Sequence, residues 1–357
     1  MLTLAFLAVM KFAQPAPDVK FQQPQVSSTG DRLGITFGAG NDIFFAQSSS
    51  DGESFSRLSR IETGGKLALG RHRGPRLVLL SKSAVITAIV GAKGGGTDGD
   101  LLAWRTEDDG RTWSKPVRIN DVPDSAREGL HAMAAGNGWI VAAWLDLRAK
   151  GMQLYFSKSE DGGLTWSKNR LVYESPSGTI CQCCHPSIAV SPTGAIHIMW
   201  RNVLDGARDM FYSRSTDGGL TFAPARKLGR GTWLLNACPM DGGDLAISSG
   251  DEVFTVWRRE KTIFVSKSDG KESDLGPGKD AAIAAGLNGS VYAVWSSPEG
   301  IQVRSTKVDQ TRTLAPRGEY PRAIFTGRSV LAFWEQDGGI AMETLEEPAP
   351  LVTKDPR

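Results

Sequence analysis

The chain has 357 residues, with 41 Lys and Arg against 39 Asp and Glu for a net charge of +2. That balance leaves no basic excess to displace phosphate counterions, which excludes a nucleic-acid binder driven by bulk charge. A 40% hydrophobic share excludes wholesale disorder, and 41 Gly with 10 Trp point to tight turns around short, aromatic-rich strands.

Residues 2–10 form an apolar run, followed by Lys11 and the small, Pro-containing stretch 13–17. The run has the length of a signal-peptide core and is too short to span a bilayer. Residues 1–17 therefore read as a signal peptide, with a buried first strand as the other reading. The remainder, 18–357, reads as one domain, secreted or periplasmic. No later apolar run approaches the ~20 residues of a membrane span.

Residues 32–37 and 84–90 are alternating apolar strands. Five later segments of the same kind end in Trp, at Trp144, Trp200, Trp257, Trp295 and Trp334. Each has a short apolar strand and a turn before it and another strand after it. Period-2 alternation punctuated by turns is strand evidence. The pattern predicts seven units of about four strands, an all-β propeller with blades around a channel. The first and last units are weak, and six blades remain the alternative. No linker divides the chain, because a closed ring is one domain. The Trp residues are expected to pack between blades, and His197 to be a core histidine.

Between these strands a second pattern recurs. Residues 159–166 read Ser-Glu-Asp-Gly-Gly-Leu-Thr-Trp, residues 215–222 Ser-Thr-Asp-Gly-Gly-Leu-Thr-Phe, and residues 106–113 Thr-Glu-Asp-Asp-Gly-Arg-Thr-Trp. Residues 48–55 and 266–270 are degenerate copies. Equivalent positions 50, 108, 161, 217 and 268 are 58, 53, 56 and 51 residues apart. Such an Asp box is a hairpin corner. The Asp carboxylate accepts from its own turn, Gly supplies the left-handed position, and the aromatic ring packs beneath.

The Asp boxes resemble those of the sialidase superfamily of BNR-repeat propellers, over roughly residues 20 to 346. That resemblance implies an exo-α-sialidase-type glycoside hydrolase. Three Arg would hold a substrate carboxylate, and a Tyr nucleophile activated by Glu would work with an Asp acid/base. Where the family carries Phe/Tyr-Arg-Ile-Pro, this chain offers Gly74-Pro75-Arg76-Leu77.

Asp boxes join third to fourth strands and so share one face of the ring. Loops entering each blade, and those between second and third strands, share the other face, where a glycan or small molecule would bind. Loop position assigns Arg76, Arg127, Arg322 and Arg208 to the substrate. It makes Tyr320 the nucleophile, Glu128 or Glu319 its base, and Asp146 or Asp209 the acid. All four cysteines fall in two of the entry loops, Cys181, Cys183 and Cys184 in one and Cys238 in the next. Cys181-Gln-Cys183-Cys184-His185-Pro is similar to a pattern in bacterial sialidase-like BNR-repeat proteins. Two chemistries stay open. The cysteines pair as disulfides, across to Cys238, or they join His185 or Met240 in a soft site for copper or zinc. The alternative function is accordingly a non-hydrolytic propeller with this site at the channel mouth, used for binding, metal handling or redox; under either function the chain is expected to be a monomer.

Overall fold

Trp139–Asp146 illustrates how the sequence builds the molecule. Its side chains alternate between the two faces of a sheet, as a strand requires. Val141, Ala143 and Leu145 join a cluster with Ile188, Ile198 and Trp200 of the following sheet. Ile140, Ala142 and Trp144 join one with Val78, Ile89 and Leu101 of the preceding sheet. Both faces are apolar because both are covered.

In the computed structural model, residues 8–10, 12, 16, 18–49, 52–136, 138–267, 270–286 and 289–346 are described. Most of the expected leader 1–17 lies outside them, as do Ser50, Asp51, Ser268 and Asp269 of the two degenerate Asp boxes. Seven antiparallel sheets follow one another along the chain, which makes seven blades rather than six. Their first strands are Gln22–Thr29, Arg76–Leu79, His131–Gly136, Ser187–Val190, Asp244–Ile247, Lys279–Ala285 and Glu319–Phe325. Each first strand touches the first strand of the next blade, and Glu319–Phe325 returns to Gln22–Thr29, so the ring closes around these inner strands. Seven apolar clusters fill the seven gaps between blades. Trp144, Trp200, Trp295 and Trp334 are fully buried in them, as their position predicted.

Two blades depart from the simple repeat. In blade 2, Lys66–Leu67 pairs with Ala84–Gly91 beside the first strand. In blade 7 the fourth strand is Ala8–Met10, antiparallel to Gly339–Glu346 with Met10 opposite Ile340.

The Asp boxes of blades 2 to 4 are built as their sequence dictates. Asp161 accepts from Ser159 Oγ and from the Thr165 amide, each at 2.9 Å, and the Gly163 amide donates to Ser159 Oγ at 2.8 Å. The next box packs onto the preceding blade. Phe222 meets Phe156 edge-on, and a Cβ on left-handed Gly219 would collide with the Phe156 ring.

Candidate active site at the axial mouth

Contacts between non-adjacent blades can form only across the axis, and several do. His72, before blade 2, hydrogen-bonds through Nε2 to Asp280 Oδ1 of blade 6 at 2.8 Å. Its ring stacks on His185, at the entrance to blade 4, with centroids 4.2 Å apart. Tyr320 of blade 7 meets His72 edge-on at 5.1 Å. Arg71 Nη1 lies 3.5 Å from Met240 Sδ of the blade 5 entrance. Entry loops distant in sequence therefore converge on one spot at the channel mouth.

A repeated backbone device aims these side chains. Gln23, His72, Glu128, Met240, Asp280 and Tyr320 have φ of 58, 68, 71, 58, 58 and 51°. Each stands at or just before the first strand of its blade, in six of the seven blades. The ladder slips register there in blades 1, 6 and 7, between Gln22 and Gln25, Lys279 and Ala282, and Glu319 and Arg322. A bulge of this kind redirects a side chain out of the sheet. Non-glycine residues in left-handed backbone are strained and concentrate at functional sites.

The site's electrostatics divide its carboxyl groups. Burial works against the Asp280 carboxylate, but the His72 hydrogen bond and the Lys279 ammonium, 3.4 Å away, outweigh it and hold its pKa below the ordinary value. Glu335, at the end of the second strand of blade 7, goes the other way. Burial raises it to about 7, with Glu319 and Asp280 adding negative charge, against hydrogen bonds from the Gln23 amide and side chain. Burial and the same carboxylates raise the Tyr320 phenol to about 12. Arg322 feels Asp244, Asp280, Asp241 and Glu335, yet burial depresses its pKa, and its Nε is buried without a partner.

The other residues singled out by loop position lie in different surroundings. Arg76 reaches the inner wall, but its guanidinium donates to the carbonyls of His131, Gly74, Pro75 and His72. It is a structural brace, and burial together with the Arg322 charge lowers it to about 9. Arg127 is half exposed and faces Asp124 at 3.5 Å. Glu128 pairs with Arg73 at 3.1 Å. Asp146 is fully buried and accepts from Ser125, Trp144 and Arg148. Asp209 pairs with Lys227 at 2.8 Å and caps the Trp233 amide. Glu319 stands at the rim, 3.5 Å from Lys279. Of the residues singled out by loop position, the structure thus gathers Tyr320, Glu319 and Arg322 at the mouth, ties Glu128 to Arg73 beside His72, and places Asp146 and Asp209 in ion pairs of their own.

The cysteines do meet. Cys181, Cys183 and Cys184 have sulfurs all within 4.8 Å of one another. Cys181 Sγ lies 3.7 Å from Cys183 Sγ and 3.5 Å from Cys184 Sγ, so the thiols are in contact and unbonded. Cys238, in the next entry loop, is exposed and acts electrostatically on Cys183 and Arg208. Arg208 Nη1 donates to Cys181 Sγ at 3.2 Å, so this arginine serves the thiols. Hydrogen bonds from its two neighbours lower the Cys181 pKa against the effect of burial, with the Arg201 charge adding to them. Cys183 is raised to about 12 by its bond to Cys181, and Cys184 is raised by burial. His185 turns away: Nε2 bonds the Gly243 carbonyl at 3.0 Å and the ring belongs to the axial stack.

His72, Asp280 and Glu335 are the residues that loop position alone did not single out for catalysis. For Glu335 a signal existed. The residue after the second-strand Trp is Arg201, Arg258, Ser296 and Glu335 in blades 4 to 7, a polar position at the end of an apolar strand.

Comparison with known proteins agrees with this architecture. The α-L-arabinanase of Penicillium chrysogenum, solved with arabinobiose, superposes with a TM-score of 0.60 at 12% identity, over 96% of this chain and 99% of that one. The Hadza microbial sialidase Hz136 gives 0.53 at 14% identity over 89% and 74%. The virginiamycin B lyase of Staphylococcus aureus gives 0.57 at 14% over 95% and 100%. At such identities the likeness is one of fold. Among curated proteins no sequence matches. The BNR repeat-like domain family matches residues 47–256, more than half of the sequence and four of the five Asp-box copies, and the chain belongs to that family.

Proposed function

We propose that this propeller is a glycoside hydrolase whose site is the axial mouth and whose chemistry is divided between two carboxyl groups. The observation that carries the reading is the set of strained, left-handed residues that brings His72, Asp280 and Tyr320 together across the ring. Glycoside hydrolysis needs one carboxyl protonated, to donate to the leaving oxygen, and one ionised, to act as base or nucleophile. Glu335, held at about 7, suits the acid, and Asp280, kept ionised by His72 and Lys279, suits the carboxylate. Tyr320 offers a ring face for a sugar, and Arg322 a cation for an anionic substituent. The fold likeness to an arabinanase and a sialidase supports a glycan as the substrate class.

A sialidase-type mechanism would make Tyr320 the nucleophile. A phenol at about 12, next to carboxylates and with Arg76 committed to backbone carbonyls, argues for the two-carboxyl division instead. The test is hydrolysis of fluorogenic arabinofuranosides and sialosides by the full chain. Glu335→Gln and Asp280→Asn are expected to lower kcat/KM by at least ~100-fold, and Tyr320→Phe by less than ~10-fold. If Tyr320→Phe is as damaging as Glu335→Gln, the nucleophile is the phenol. Sugar binding without turnover by the unmodified chain would make this a glycan-binding propeller.

A further inference from the structure

Beside the axial mouth, the loop that enters blade 4 carries a group of sulfurs for which glycan chemistry has no use. We propose that Cys181, Cys183 and Cys184 form a buried trithiolate site for a soft monovalent metal ion, Cu(I). This stands independently of the glycoside hydrolase reading.

Spacing is the first argument. The contacts of 3.5 and 3.7 Å, with all three sulfurs inside 4.8 Å, leave the thiols unbonded. A disulfide needs about 2.05 Å between sulfurs. Three sulfurs around one ion at a metal–sulfur distance of about 2.3 Å stand about 4.0 Å apart. The two edges from Cys181 therefore need to open by only about 0.3 to 0.5 Å to take an ion, and the third edge lies within 4.8 Å. A disulfide would require a pair to close by more than an ångström, and the neighbours Cys183 and Cys184 would close a strained ring.

The donor set selects the metal. All three thiols are buried, and the apolar side chains packed against them are Val203 and the thioether Met240. The imidazole next in sequence, His185, is held in the axial stack by Gly243 and His72. What remains is sulfur, the ligand type that favours Cu(I). Structural zinc prefers four ligands in a closed tetrahedron, commonly from spaced Cys pairs. Here three ligands crowd one short loop and the fourth cysteine is exposed.

Charge is also provided for. Three thiolates and one Cu(I) carry two net negative charges. Arg208 donates to Cys181 Sγ while its Nε is anchored to the Leu235 carbonyl at 3.0 Å. Arg201 is buried nearby and acts electrostatically on Cys181. Such cations beside a metal–thiolate group stabilise it and orient its ligands. Cys238, in the next entry loop, is exposed and offers a first contact from solvent. Binding is ligand exchange without redox change: Cu(I) enters, each ligating cysteine that was a thiol releases its proton to solvent, and three copper–sulfur bonds form.

The experiment offers Cu(I) anaerobically to the reduced full chain in competition with a chromophoric Cu(I) chelator, and Zn(II) in a parallel titration. One equivalent of Cu(I) should be retained, with ultraviolet thiolate-to-copper absorption and a sulfur-only, three-coordinate copper environment by X-ray absorption. Cys181→Ser and Cys184→Ser should weaken retention by more than ~100-fold, and Cys238→Ser by less than ~10-fold. Near-UV circular dichroism checks that each variant is folded, and the X-ray measurement on the unmodified chain needs no variant. Zn(II) held in preference to Cu(I), nitrogen in the copper shell, or two disulfides in protein purified without reductant would each overturn the proposal.

Discussion

Glu335 joins stability and catalysis in one titration. Its pKa is raised from the ordinary 4.5 to about 7 because its charged form is penalised in the folded state. Such a group stabilises the fold fully below the unfolded pKa, and that contribution is lost as pH rises through the folded value. The loss amounts to as much as about 3 kcal/mol by pH 8. Glu335→Gln removes the titration. Relative to the unmodified chain, the variant should therefore gain stability between pH 4.5 and 8, read from denaturant midpoints at both values, while losing hydrolysis at both. Activity of the unmodified chain should fall as pH rises through about 7, where the acid loses its proton. Asp280 provides the complementary case. Its left-handed φ of 58° costs about 1 kcal/mol that glycine would not incur. Asp280→Gly should relax the backbone and still abolish turnover, because the carboxylate is the functional part. If Asp280→Gly kept activity, the strain would serve packing alone.

At the scale of the element, the contrast between Asp box and entry loop explains what the sequence revealed. An Asp box is complete within eight residues: Asp161 is satisfied by Ser159 and Thr165, and Asp217 by Ser215 and Thr221. Local hydrogen bonds leave a local signature, so these corners and the Trp-ended strands were legible, and with them seven blades. The axial site is non-local. His72 and Asp280 are separated by 208 positions, and nothing near either one in the chain announces the other. Arg76 reads as a substrate clamp in the sequence, which records a guanidinium but not the four carbonyls that occupy it. Glu335 follows a Trp that marks a packing strand, and the sequence around it does not announce a functional carboxyl. The thiol cluster is legible because Cys181, Cys183 and Cys184 share one short entry loop. The boxes carry their own prediction. Hydrogen bonds from Thr112 hold Asp108 at about 2, so the ionised form is the one the turn requires. The stability it lends is present above the ordinary carboxylate range and disappears as pH falls through about 2. Asp161→Ala should lower Tm by a few degrees near neutrality. It should leave glycosidase kinetics unchanged, because the corners and the entry loops lie on opposite faces.

For the whole molecule, closure is the property on which the site depends, since contacts across the axis need every blade at its place on the circle. Blade 7 is the seam. It supplies Tyr320, Arg322 and Glu335, and it takes its fourth strand from the other end of the chain, with Ala8, Val9 and Met10 opposite Met342, Ala341 and Ile340. Those partners lie on an outer strand whose Ile340 and Met342 belong to the apolar gap between blades 7 and 1. Without its partner, Gly339–Glu346 becomes an open sheet edge, where unpaired backbone groups meet water and invite pairing with another chain. A chain beginning at Asp18, the form that removal of a leader 1–17 would leave, should therefore unfold at lower temperature than the full chain and exchange the amide protons of Gly339–Glu346 faster than those of blades 3 to 5. The inner strand Glu319–Phe325 keeps its ladder with Val330–Gln336 in this variant. The axial contacts should thus survive at low temperature, and activity should fall only as the seam opens on heating. Hydrogen exchange separates the outcomes. Faster exchange confined to blade 7 identifies it as the seam, whereas uniform exchange around the ring would mean that the other six interfaces close the circle without help from residues 8–10.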